Sequence, residues 1–148
     1  MNLNDDLYNV YLQELGILDS EWRVKPSMQD KYKQINKYIE IVDGVLNNVV
    51  VDRTFSIVDM GSGKGYLTFA LYDYLSRKMA HKPIVKGVEI RKELVEKCNA
   101  ISEKCGFDNL SFVQGNINET ELSTIDILIA LHACDTATDD AIAQGIKN

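Results

Sequence analysis

A doubly wound α/β fold, a parallel sheet covered by helices, is predicted by three observations. Short apolar, β-rich runs alternate with segments whose apolar residues recur every three or four positions. The run from Ile57 to Leu67 joins an apolar strand to a G-x-G-x-G turn and then to an amphipathic segment. The run from Ile125 to His132 is nearly all apolar, as a strand buried on both faces of a parallel sheet should be.

The elements follow in order. Leu3, Leu7, Val10, Tyr11 and Leu15 form a helical stripe that stops at Gly16, and Trp22 to Pro26 reads as a linker. Tyr32, Ile35, Ile39, Val42, Leu46 and Val49 then mark a helix from about Gln29 to Asn48, placed to cover the sheet ahead of the first strand. Both stripes are expected to pack into the core, with the first also able to cover a crevice. After the glycine turn, a helix is expected from Leu67 to about Met79, a strand over Ile84–Ile90 and a helix from Arg91 to about Gly106. A third strand is expected at Leu110–Val113, and the fourth at Ile125–His132. The division implied is 1–26 as a helical extension with linker, and 27–148 as the principal domain.

The loop Gly61-Ser62-Gly63-Lys64-Gly65 leaves little side chain between its backbone and whatever lies over it, which is the shape of a site for a nucleotide-type cofactor. Spacing separates the variants. A P-loop reading puts Val58 where its first glycine belongs and Gly65 where its hydroxyl belongs, so it fails. A dinucleotide fingerprint needs a third glycine at Tyr66, and survives only as a rival. Asp59, at the end of the strand, suits loop amides or a cationic group and is a poor neighbour for phosphate.

Glu89 ends the second strand 24 residues beyond Gly65, near the offset of about 20 at which such folds place an acid on a ribose. A right-handed β-α-β crossover brings the two strand ends to one crevice. The competing role for Glu89 is to favour the start of the following helix, and the two are compatible. Gly115-Asn116 is either a ligand-binding turn or a plain turn pair.

Asp59 with Gly61-Ser62-Gly63-Lys64-Gly65-Tyr66-Leu67, then Gly87-Val88-Glu89, Gly115-Asn116-Ile117 and Ala130-Leu131-His132-Ala133-Cys134, resembles the class I S-adenosylmethionine-dependent methyltransferases. Within them it resembles the methyltransferase-like domains with D-x-G-S-G-K-G-Y-L and L-H-A-C motifs, over about residues 30–148. The resemblance implies a Rossmann-like sheet and S-adenosylmethionine as cofactor. It sets Gly61, Gly63 and Gly65, with Ser62 and Tyr66, at the methionine and ribose portions, and Asp59 near the amino group. Glu89 falls at the ribose and Asn116 and Ile117 at the adenine, with Ile90 beside Glu89 and Leu131 at the end of strand four also in the cofactor-binding set. Class I folds have seven strands and this sequence reaches four, so it is expected to be the N-terminal part of a longer protein.

Methyl transfer from a sulfonium needs alignment more than a protein nucleophile. His132 is the candidate base for an acceptor that must lose a proton. Cys134 lacks an orienting third group to act as a nucleophile with it. Lys33 and Gln34 are candidates to reach the cofactor carboxylate. The N-P-P-Y signature of base-amino methylation is absent after strand four, and the methyl acceptor stays open among small molecules, proteins and RNA.

The 148 residues, 45% hydrophobic, suffice for one core, without repeats or low-complexity tracts. A net charge of −6 and a pI near 4.9 give no strong nucleic-acid signature. Lys25, Lys31, Lys33 and Lys37, interleaved with acids, read as a solvated helix face. Three cysteines without C-x-x-C spacing suit a reducing compartment and give no metal site. With no signal-peptide pattern and no apolar run near 18 residues, a cytoplasmic protein without membrane contact is expected. The non-methyltransferase alternatives are a nicotinamide-dependent oxidoreductase module and a non-catalytic Rossmann-like binding module.

Overall fold

A computed structural model describes residues 10–47, 53–115 and 124–130. Their elements are helix α1 (Val10–Glu14), a single 3-10 turn at Pro26–Met28, helix α2 (Gln29–Leu46), strand β1 (Ser56–Met60), helix α3 (Tyr66–Lys78), strand β2 (Ile84–Glu89), helix α4 (Lys92–Lys104), strand β3 (Leu110–Gln114) and strand β4 (Ile127–Ala130). The strands form a four-stranded parallel sheet in the order β3-β2-β1-β4. The chain winds outward from β1 through β2 to β3, then returns to the far side of β1. This is a Rossmann-like sheet with its switch point between β1 and β4.

Register sorts the side chains. Ile57 aligns with Val85 and Ile127, and Val85 with Leu110, so these residues share one face with Asp59, Gly87, Glu89, Phe112 and Ile129. Their apolar members join Tyr11, Ile35, Ile39, Phe69 and Leu75 in the main core. The opposite face carries a smaller cluster of Val58, Val88 and Ile125. Strand β1 is buried on both faces through Ile57, Val58 and Asp59, whereas β4, expected to be buried on both, has Ile127 and Ile129 buried and Leu128 and Ala130 half-buried.

Phe69 ties the layers together. Its ring lies 5.3 Å from Phe112 on β3, 6.3 Å from Phe107 beyond α4, and stacks on Tyr11 of α1 at 6.0 Å. Both helical stripes therefore face the core: α1 through Tyr11 and Leu12, α2 through Tyr32, Ile35, Ile39 and Val42. Leu3, Leu7 and Val49 of those stripes lie outside the described residues.

Most element ends shift by one or two residues from expectation, with β2 ending at Glu89, β3 reaching Gln114 and α4 spanning Lys92–Lys104, and three differences have a visible cause. The stretch expected as a linker is tied down: Leu18 bridges Val24, the Lys25 N–H donates to the Ile17 carbonyl, and Asp19 Oδ1 accepts the Glu21 and Arg23 N–H groups. An Asx-type turn and a buried Ile17 hold it, neither of which its composition advertises. Strand β4 starts at Ile127 because Asp126 is occupied. Its N–H donates to the Ser56 carbonyl, its Oδ2 accepts the Ser56 N–H, and Arg53 makes a forked pair with its carboxylate. Helix α3 begins at Tyr66, directly after Gly65, which takes the left-handed φ of 88° at the N-cap. Among the described residues no helix is long and apolar enough to cross a membrane.

Candidate cofactor site

The glycine loop is stapled to β2. Gly61 and Ser62 N–H groups both donate to the Val88 carbonyl, at 2.8 and 3.0 Å, and the Gly63 N–H reaches Glu89 Oε1 at 3.1 Å. On its far side the Cys98 thiol donates to the Lys64 carbonyl at 3.5 Å. The loop thus joins β1, β2 and α4, and holds the ends of adjacent strands at one place.

Two glycines are required by space. A Cβ on Gly65 would lie 2.9 Å from Cys98 Sγ and 3.1 Å from the Phe69 ring. Close packing at the helix start, which a dinucleotide fingerprint obtains from its third glycine, falls here on Gly65 rather than on the Tyr66 position. A Cβ on Gly87 would meet the Phe112 ring at 2.5 Å and Ser62 Oγ at 2.9 Å. Gly87 therefore lets the loop and β3 close over β2.

Asp59 is buried, and its Oδ2 accepts the Thr68 hydroxyl at 2.6 Å. It borders a cavity of about 200 Å³ lined also by Lys31, Gln34, Ser62, Lys64 and Tyr66. Lys31 Nζ donates to Gln34 Oε1 at 3.1 Å and lies 5.3 Å above the Tyr66 ring. One anionic and two cationic side chains around this volume complement a zwitterion such as an amino acid. Of the α2 candidates, Gln34 lines the cavity and Lys33 is exposed and does not. Lys31 stands there instead, because positions 31 and 34 share a helix face and position 33 is turned away from it.

Tyr38 lies one turn beyond Gln34. Its hydroxyl is buried without a hydrogen-bond partner, and burial, reinforced by the Asp59 charge, pushes its pKa well above the ordinary value. Ser62 Oγ is also buried and unpartnered at the loop.

Glu89, on the other side of the loop, is 7% exposed. Oε2 accepts the Arg91 N–H at 2.8 Å and Arg91 Nε at 2.9 Å; Oε1 accepts the Gly63 N–H and, at 3.5 Å, Arg91 Nη2. The Arg91 guanidinium is the main cause of a pKa lowered to about 2, with the Arg91 and Gly63 amides adding to it against the effect of burial. Its carboxylate thus serves the start of α4 and the loop at once. Ile90, next in the chain, is 72% exposed, and its carbonyl accepts Gln114 Nε2 at 3.0 Å.

The structure thus gathers Asp59, Gly61, Ser62, Gly63, Gly65, Tyr66, Glu89 and Ile90 around one loop. Asn116, Ile117, Leu131, His132 and Cys134 lie outside the described residues. Lys31, Lys64, Thr68 and Arg91 are additions that sequence reasoning missed. Their only advance signal was nearness to the loop motif or spacing from Gln34. Cys98 and Cys105 are free thiols raised by burial, Cys98 to about 11, which fits packing and not nucleophilic duty. A second hollow of about 10 Å³, lined by Val42, Leu46, Leu71 and Ile129 among others, is too small and too apolar to be a ligand site.

Solved structures with a similar fold include a mutant of MtNAS in complex with S-adenosylmethionine. It is 19% identical, with TM-score 0.54, and the match covers 95% of this chain and 52% of that one. A putative S-adenosylmethionine-dependent methyltransferase of Methanococcus maripaludis is 18% identical, with TM-score 0.51 over 81% of this chain and 56% of that one. A methyltransferase of Aquifex aeolicus, described as SAM-dependent, is 18% identical with TM-score 0.50, covering 72% and 51%. The chain spans about half the length of each of these. No curated protein matches it in sequence. Residues 30–148, which contain the loop, both acidic strand ends and every residue of the larger cavity, match the methyltransferase domain family, and the chain belongs to that family.

Proposed function

We propose that this chain is the cofactor-binding part of an S-adenosylmethionine-dependent methyltransferase. The observation that carries the reading is one glycine loop with a zwitterion-complementary cavity on one side and an ionised, buried Glu89 on the other. An amino acid joined to a nucleoside has that polarity. The residues fit it: the buried Ser62 Oγ lacks a partner, and a Cβ on Gly87 would meet that same Oγ at 2.9 Å, so the glycine is what lets the loop lie close over β2.

In this reading Asp59, held by Thr68, receives the ammonium, and Lys31 with Gln34 receives the carboxylate. Glu89 takes the ribose hydroxyls, Ile90 and Ile117 cover the adenine, and Asn116 bonds its edge. The cofactor supplies a methyl group already activated by a sulfonium. The protein's part is to hold that group in line with an acceptor and keep water out, a placement effect worth up to roughly 7–11 kcal/mol. His132, after strand four, is assigned the proton of the acceptor where one must leave. The family membership, and the S-adenosylmethionine in a structure of similar fold, support this reading. A dinucleotide is the poorer occupant, since its pyrophosphate would meet the Asp59 carboxylate that borders the loop cavity.

Isothermal titration with S-adenosylmethionine and S-adenosylhomocysteine tests the proposal, with a reduced nicotinamide as the rival ligand. Micromolar binding of both adenosyl ligands, weakened about tenfold or more by Glu89→Ala, is the expected result. Preferential binding of the nicotinamide, or no adenosyl binding by the folded protein, would sink it.

A further inference from the structure

We propose that the Arg91 guanidinium closes the ribose subsite by occupying Glu89 and is exchanged for the vicinal diol when a nucleoside binds; the inference rests on the adenosyl-binding reading above. An ionised carboxylate offers about four acceptor positions, two on each oxygen. All four on Glu89 are filled. Two hold the Gly63 and Arg91 main-chain N–H groups, and two hold Nε and Nη2 of the Arg91 side chain.

The two kinds of donor differ in what it takes to release them. Gly63 belongs to the loop that β2 staples, and the Arg91 N–H sits at the N-cap of α4, so freeing either disturbs a folded element. The guanidinium is 57% exposed on the side chain and can rotate into water at little cost. It also reaches over the loop: its Nη2 lies 3.7 Å from where a Gly63 Cβ would stand. A diol carries two hydroxyl donors, and the two acceptor positions that can be vacated are those the guanidinium occupies. The exchange is donor pair for donor pair. Glu89 keeps its two main-chain donors throughout and so stays oriented, and the nucleoside enters by displacing a side chain instead of opening the loop.

The test uses 5′-methylthioadenosine, an uncharged nucleoside with an intact diol, titrated into wild type, Arg91→Ala and Arg91→Lys, with folding checked by circular dichroism. Removing the competitor is expected to tighten binding about three- to tenfold in Arg91→Ala, chiefly through faster association. Arg91→Lys, which keeps the charge and loses the fork, is expected to fall between. Raising salt from about 0.05 to 0.5 M screens the ion pair, so wild-type affinity should rise while that of Arg91→Ala stays level. A purely structural Arg91 would not produce that difference in salt response. Unchanged or weaker binding in both folded variants, or identical salt responses, would overturn the exchange while leaving the adenosyl site standing. If folded wild type binds neither 5′-methylthioadenosine nor S-adenosylhomocysteine, the site reading falls and the exchange falls with it.

Discussion

Glu89 shows how much one side chain can be asked to do: it accepts hydrogen bonds from the loop, from the start of α4 and from a guanidinium. Its pKa is depressed from 4.5 to about 2, so the folded state is favoured by its ionised form. The sign follows directly: this contribution is full above about pH 4.5 and fades as pH falls toward 2. Glu89→Gln should therefore be less stable than wild type at pH 7, with the difference shrinking steadily below pH 4.5 in urea melts run across that range. Gly87→Ala makes a steric point, since the new methyl would meet the Phe112 ring at 2.5 Å. A loss of about 1–3 kcal/mol in denaturant unfolding is expected, and a neutral result would contradict the packing described. Glu89 was legible in the sequence through its offset from the glycine loop. Arg91 and Lys31 were not, because where a long cationic side chain comes to rest is decided by neighbours distant in sequence.

Elements were easier to read than contacts. Strong periodicity located α2 and the apolar strands, since one face of each must leave water whatever it meets. Ends moved by a few residues where a local bond intervened, as at Asp126, whose carboxylate and N–H hold Ser56. The partners of α1 were hidden: Tyr11 stacks on Phe69 of α3, and Lys104 of α4 pairs with Glu14. Phe69, 0% exposed, joins α1, α3, β3 and the turn after α4, so its loss is felt by four elements at once. Phe69→Ala should cost about 3–5 kcal/mol in equilibrium unfolding. A cost below about 1 kcal/mol would mean that those aromatic contacts do not hold the helices to the sheet.

For the whole molecule, binding and stability are one measurement. A ligand that binds only the folded chain adds about 2.7 kcal/mol at one hundred times its Kd, or about 5–10 °C in melting temperature for a chain of this size. Saturating S-adenosylhomocysteine should give that shift and a nicotinamide dinucleotide should not; the reverse order would favour the oxidoreductase reading. The order β3-β2-β1-β4 makes this possible, because the chain's return past β1 leaves a crevice beyond the carboxyl ends of the strands, where Asp59 and Glu89 emerge. By itself the sequence determined the alternation of strand and helix, the glycine loop and the two acids flanking it. These depend on local periodicity and on backbone conformations that few residues but glycine adopt. Only the tertiary structure decided which side of β1 receives β4, which lysine reaches the cavity and which cation occupies Glu89. Those outcomes depend on contacts between residues far apart in the chain, whose geometry exists only once the sheet has closed.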